Sequence, residues 1–347
     1  MSNPIVDQRL FAAGEAVVVL PPHLIFEITG PDRAAWLHAF LAQKILGLQA
    51  GDSVEALMLD ANGHIQLAWR VVETADSTWM FAQPNAQYDE CASPEAFEKW
   101  LRANVFRKKV SIANHSAEFA VVARNGHGVA IDNMAVVWHD TWVREHASSV
   151  RYSKTPLSSL ARGFKVTESL VPVADAGHSA KVVAGLPVVA IEALTALRIA
   201  AHRPAQAFEV DAKSLPHELD WLSSGVHMSK GCYRGQETVA KVHNLGHPPR
   251  RLVLLQLDGS GHFLPNPGDA VFVAGDERQR GFVTSVANHF EMGPIALAVI
   301  NRLTEPSAQL EVVSGSESIA AAQEIIVPTD AGAANPRPRK SLLNGHG

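Results

Sequence analysis

Lys230 to Glu237 read "KGCYRGQE", and the helix-forming run "TVAKVHN" follows directly. The stretch places one of only two cysteines in the chain between a lysine and an arginine, with glycines at 231 and 235. Both glycines permit a tight turn, and the pattern predicts a helix starting near Gln236. Cys232 then lies just outside a helix N-terminus. The helix dipole together with Lys230 and Arg234 is expected to favour thiolate over thiol there. The competing reading is a small buried residue, because free cysteine is among the most buried residue types.

Outward from this stretch, the chain divides by pattern. Residues 1–115 mix helix and antiparallel sheet. "AVVVL" and "HLIFEI" are strand-like, and "TGPDRAAWLHAFL" places Trp36, Leu37, Phe40 and Leu41 on one helical face. "DSVEALMLDANGHIQLAWRVVE" reads as a hairpin turning at Asp60–Gly63, and Pro94 opens a helix, "PEAFEKWLRANV". Residues 116–187 read as a small α+β domain, with turn-forming "RNGHG" and "DAGHSAKVVAGLP". Residues 188–248 form a return segment, with a helix in "PVVAIEALTALRIAAHR" that ends before Pro204. Residues 249–329 carry short strands separated by Gly and Pro, "RLVLLQL", "DAVFVAG", "GFVTSV", "IALAVI", "QLEVV" and "EIIVP", as in a compact β-barrel. Residues 330–347 lack core material and are expected to be disordered.

The 347 residues suggest two or three domains, and 47% hydrophobic with 19% charged residues is globular usage. A net charge of −5 gives no global attraction to nucleic acid or an anionic membrane, so no direct nucleic-acid contact is expected. No apolar run approaches the roughly 20 residues that span a bilayer, and the N-terminus has no export-signal pattern; a cytoplasmic protein without membrane contact is expected. Two cysteines are too few for a disulfide scaffold or a four-cysteine metal site. "GVHMSKGC" is not a phosphate-binding loop, because its glycine follows the lysine. His243 and His247 do not make a metal-binding face, since Gly246 ends the helix between them; no metal site is expected.

"LPHELDWLSSGVHMSKGCYRGQETVAKVHNLGHPPRRLVLL" (215–255) resembles the YgfZ group of folate-binding proteins, relatives of the glycine cleavage T-protein, an aminomethyltransferase; the K-G-C-Y-x-G-Q-E run is that group's hallmark. Weaker similarity lies in "ITGPDRAAWLHAFL", "LDANGHI", "ALRIAAHRP" and "RGFVTSVANHFEMGPIALAVI", with little between about 115 and 185. The resemblance implies an α+β, three-domain aminomethyltransferase-like fold around a central folate cavity, with a C-terminal β-barrel. It also implies a cytoplasmic tetrahydrofolate-binding accessory protein supporting assembly or repair of iron–sulfur enzymes, including tRNA-modifying ones, with folate and iron–sulfur enzymes or assembly factors as partners. Cys232, Lys230 and Arg234 would be the reactive set.

The family's P-x-E element maps onto Glu218, whose carboxylate could accept two hydrogen bonds from a pterin. A helix-start carboxylate is the other reading. Trp221 is either a stacking partner or a core tryptophan. Tyr233, Gly235, Gln236, Glu237 and Arg251 complete the implied folate-binding set. Two departures stand out. Gln66 and Leu67 occupy the hairpin positions where the aminomethyltransferase has an acid, and "RIAAH" puts Ala200 and His202 in place of an acid and a glycine. The alternatives are a folate-dependent one-carbon transferase, which the missing acid disfavours, and a non-catalytic interaction module.

Overall fold

The computed structural model describes residues 3–129, 136–142, 149–154, 162–176, 180–261 and 263–335. Helix α1 (Pro4–Ala12) is capped by the Asn3 side chain and leads into β1 (Val17–Val19) and β2 (Leu24–Thr29). Helix α2 (Arg33–Phe40), the hairpin β3 (Ser53–Leu59) and β4 (Ile65–Glu73), β5 (Ser77–Ala82), α3 (Pro94–Ala103) and β6 (Ser111–Asn114) follow. The five strands β2 to β6 form one antiparallel sheet in the order β3-β4-β5-β2-β6. Strand alternation sends Phe26 and Ile28 to one face, where Trp36, Leu37, Phe97 and Leu101 of α2 and α3 cover them. Ile25, Val72 and Phe81 point to the other face and pack on Phe11 of α1.

A second antiparallel sheet, β1-β7-β9-β8, is built from β7 (Phe119–Asn125), β8 (Val137–His139) and β9 (Val166–Pro172), with β1 of the N-terminal segment at its edge. Val17–Val19 pair with Val122–Arg124. A division at residue 115 therefore cuts through this sheet, which a reading of contiguous segments does not anticipate. Two short strands, β10 (Val182–Val183) and β11 (Leu186–Pro187), form a hairpin before α4 (Ile191–Ala200).

Helix α5 (Gln236–Leu245) leads into β12 (Arg250–Leu257), β13 (Ala270–Val273), β14 (Gln279–His289), β15 (Gly293–Asn301), β16 (Leu310–Ser314) and β17 (Glu317–Ile325), which close a six-stranded barrel. "RLVLLQL" is apolar on both faces for a reason. Val253 and Leu255 fill the barrel, whereas Leu252 and Leu254 face the central core with Trp142, Ile199, Leu219 and Trp221. The last strand starts earlier than "EIIVP" suggests, because Ile319 and Ala321 supply its inward side without a conspicuous apolar run. Of the tail expected to be disordered from residue 330, residues 331–335 pack against the fold instead. Ala331 is buried, and the N–H groups of Ala333, Ala334 and Asn335 donate to the carbonyls of Gly246, His243 and Asn244 at the end of α5. Residues 336–347 lie outside the described residues.

Candidate functional site

The "KGCYRGQE" loop is held at both ends. Gly235, at φ +83°, is the residue before α5, and a Cβ there would stand 2.6 Å from the Asp60 carbonyl oxygen. Opposite it, Gly63 of the β3–β4 turn has φ +84°, and a Cβ there would come within 3.0 Å of Thr238. The turn and the helix start thus meet backbone to backbone through two glycines in the left-handed region. The Asp60 carboxylate stiffens this turn by accepting from the N–H groups of Asn62 and His64, each at 2.8 Å. Within the loop, Gln236 Nε2 donates to the Lys230 carbonyl at 3.2 Å, and the Tyr233 ring is buried in the central core.

Lys230 does not serve the thiol as expected from its place in the sequence. Its ammonium donates to the carbonyls of His38 (2.6 Å) and Leu41 (2.5 Å) and, at 3.3 Å, Gln43. The end of α2 leaves carbonyls without helical partners, and a long basic side chain satisfies them. Burial pulls the Lys230 pKa down to about 8. The lysine is therefore a staple between loop and helix. Cys232, Arg234 and Glu237 are exposed, and none of the three has an ion-pair or hydrogen-bond partner among the described residues.

Glu218 is 0% exposed and already occupied. Its two carboxylate oxygens accept from Arg250 Nε (3.0 Å) and a terminal Arg250 nitrogen (2.8 Å), and the second oxygen also accepts the Leu215 N–H at 3.1 Å. The paired donors expected from a pterin are supplied by the first residue of β12, so the carboxylate clamps the turn at 216–219 to the barrel. Arg250 also binds Asp211. Burial alone would raise the Asp211 carboxyl, but the Arg250 hydrogen bonds and charge outweigh it and hold the pKa at about 2. Arg251 points the other way, into the barrel end. It donates to the carbonyls of Arg302 (3.3 Å) and Thr304 (3.0 Å) and to Gln323 (2.8 Å), and burial pulls its pKa down to about 10.

Trp221 is likewise a core tryptophan. Its indole N–H donates to Glu55 at 2.8 Å, and its ring lies 5.5 Å from the Arg203 guanidinium, which also stands over Trp142. Arg203 joins Glu55 (2.6 Å) to Asp140 (2.9 Å), so one buried arginine ties β3, the residue after β8 and the return segment together. The sequence reading missed all three of these residues. Beside them a cleft lined by Arg70, Glu168, Gln83, Arg198 and Phe208 marks the junction of the segments, and Arg70 pairs with Glu168 at 2.9 and 3.0 Å. Its volume is about 60 Å³.

The two departures noted in the sequence also acquire a geometry. Gln66 is buried and donates to Glu90 at 3.1 Å, while Leu67 lies in the apolar core, so that strand carries no carboxylate there. His202 adopts φ +58°, the left-handed backbone that a glycine takes without strain, and its ring sits 3.3 Å from Glu324.

No family model and no curated protein matches this sequence. Among solved structures, the glycine cleavage system aminomethyltransferase T from Bartonella henselae superposes with a TM-score of 0.65 at 14% identity, over 97% of this chain and 91% of that one. The heterotetrameric sarcosine oxidase from Corynebacterium, in complex with pyrrole 2-carboxylate, aligns over 52% of this chain and 90% of that one at 14% identity, with a TM-score of 0.25. The first likeness spans nearly the whole chain, and the fold is that of the aminomethyltransferase T-protein, a mixed α/β structure with a closed six-stranded barrel.

Proposed function

We propose that this chain is a YgfZ-type, tetrahydrofolate-binding accessory protein that supports assembly or repair of iron–sulfur enzymes in the cytoplasm, tRNA-modifying ones among them, through the thiol of Cys232. The observation that carries the reading is the exposure of Cys232 on a loop whose neighbours are spent on holding it. Lys230 is stapled to α2, Tyr233 is buried, Gln236 closes the loop, and Gly235 abuts the hairpin turn. A cysteine that only fills space would not be presented in this way. Folate enters from the aminomethyltransferase-like fold and the sequence resemblance. A one-carbon transferase is the weaker reading, because a buried glutamine stands where a proton-handling acid is required.

The test is complementation of a deletion strain of the source organism. Cys232→Ser is expected to fold and bind tetrahydrofolate as the wild type does, yet to leave iron–sulfur enzyme activity unsupported. Full rescue by the serine variant would overturn the role of the thiol, and turnover of a methylene- or aminomethyl-folate at roughly 1–1000 per second would favour the transferase.

A further inference from the structure

The segment after α3 carries a residue at odds with both water and its own backbone. Phe106 is 85% exposed and holds φ +51°, a left-handed conformation that strains a bulky side chain. Strain of this kind persists where a clamp for a partner needs it. The Phe106 ring walls a groove of about 890 Å³, floored by Trp36 and Phe40 of α2 and Trp100 of α3. The floor rings meet edge to face, Trp36 to Phe40 at 5.3 Å and Phe40 to Trp100 at 5.6 Å, which fixes the surface they present. The rim is cationic. Arg107, Lys108 and Arg234 have no ion-pair partner among the described residues, and the one acid in the lining, Asp32, already accepts the Lys109 N–H at 2.8 Å.

We propose that this groove docks an acidic segment of a partner protein, whose aromatic or large aliphatic side chains lie on the Trp36–Phe40–Trp100 floor while its carboxylates meet Arg107, Lys108 and Arg234. Other occupants fit less well. Residues 336–347 of this chain contain Arg337, Arg339 and Lys340 and no acid, so like charge opposes them at this rim. Two copies meeting through this face about a two-fold axis would set cation against cation. Single-stranded nucleic acid needs open stacking faces, whereas Trp36 is 4% exposed, and the chain, at a net −5, repels a strand that extends beyond the patch. The location gives the docking a use. Arg234 belongs to the loop that carries Cys232, and Lys230 staples that loop to the helix supplying two of the floor rings. Taking the partner to be an iron–sulfur enzyme or assembly factor rests on the function proposed above; binding of the acidic segment does not.

Selection on the full chain from a displayed library of random peptides, each long enough for about four helical turns, tests this. Enriched peptides should be acidic and carry aromatic or large aliphatic residues. In calorimetry with a synthetic copy of one such peptide, Phe106→Gly should weaken binding at least about fivefold, the threshold of an interface hot spot. Its melting temperature should not fall, because glycine takes φ +51° without strain. Arg107→Glu combined with Lys108→Glu should weaken binding at least about tenfold at low salt and less at high salt. No enrichment, enrichment of neutral or basic peptides, or equal binding by wild type and both variants would overturn the docking surface. So would a polyuridine oligonucleotide, or a dimer seen in analytical ultracentrifugation, that is lost in the same variants in place of the peptide. Complementation separates this inference from the function it serves. Both variants should lower support of iron–sulfur enzymes; if they lose the peptide and still complement fully, the acidic partner is not the iron–sulfur client. Full complementation by Cys232→Ser would remove the proposed function and leave the surface standing on its binding.

Discussion

Two regions of this molecule handle charge in opposite ways. At the segment junction, Arg203 is buried between Glu55 and Asp140, with Trp142 and Trp221 against its faces. At the Cys232 loop and the segment after α3, Arg234, Arg107 and Lys108 stand exposed without carboxylate partners among the described residues. A buried charge survives only when paired and hydrogen-bonded, so the first region reports on architecture. An unpaired cation costs nothing in water, so the second region places no such demand on the fold. The same contrast separates Glu218, clamped by Arg250, from Glu237 at the end of the motif, which is exposed. A carboxylate near a hallmark motif is not thereby a ligand contact.

The sharpest way to break this contrast is to remove the guanidinium from each region in turn. Arg203→Met leaves two buried carboxylates facing each other without a cation and is expected to cost about 3–5 kcal/mol in urea unfolding. Arg203→Lys keeps the charge but loses the fork that reaches both acids and should recover only part of that loss. Arg234→Met should stay within about 0.5 kcal/mol of wild type. A loss below about 1 kcal/mol for Arg203→Met would mean that the junction is held by apolar packing alone.

A second effect, smaller and opposite in sign at two nearby acids, sharpens the comparison within the return segment. Burial raises the Asp220 carboxyl from its ordinary value of 3.8 to about 6, against the partial relief given by Arg151 and the Tyr152 N–H. The folded protein then keeps a proton that the unfolded chain releases between about pH 4 and 6. Stability falls as pH rises through that window, by at most about 1.4 kcal/mol per pH unit. Asp211, held near 2 by Arg250, behaves in reverse: its contribution is present above about pH 4 and is lost as pH falls toward 2. Urea midpoints across pH 4–7 should show the first slope in the wild type and not in Asp220→Asn, whose side chain tolerates the φ of +55° at that position. A slope that persists in the variant would move the proton to another group.

What the sequence made legible was local. The hairpin at Asp60–Gly63, the start of α5 at Gln236 and the first five barrel strands each follow from periodicity and turn residues within a dozen positions. Side-chain commitments across the chain were not legible. Lys230 lies two residues from Cys232 in sequence, but its flexible stem reaches carbonyls 189 and 192 residues earlier. Arg203 finds Glu55 across 148 residues and Asp140 across 63, and no short pattern announces either contact. The motif around Glu218 likewise says nothing of the partner its carboxylate takes. The arginine that occupies it, Arg250, sits beside Arg251, which points into the barrel instead because adjacent strand residues face opposite sides.

The two cysteines give the finest version of the comparison, since residue type is held constant and only surroundings differ. Cys91 is 0% exposed, and burial, with help from Glu90, pushes its thiol up to about 12 despite the opposing charge of Arg234. Cys232 is open to solvent. Only a thiolate that reagent can reach is alkylated, so limiting iodoacetamide at neutral pH should label Cys232 well before Cys91, with the sites separated by peptide mass mapping. Cys91→Ser puts a hydroxyl into the apolar core beside Phe97 and Trp69 and should lower stability by about 1–3 kcal/mol. Cys232→Ser, with no core contact to lose, should change it by less than about 0.5 kcal/mol. Should Cys91 react first, or the Cys232 variant lose as much stability as the Cys91 one, the loop would have to be read as a packed turn, and the thiol that motivates the proposed function would lose its distinction from an ordinary core residue.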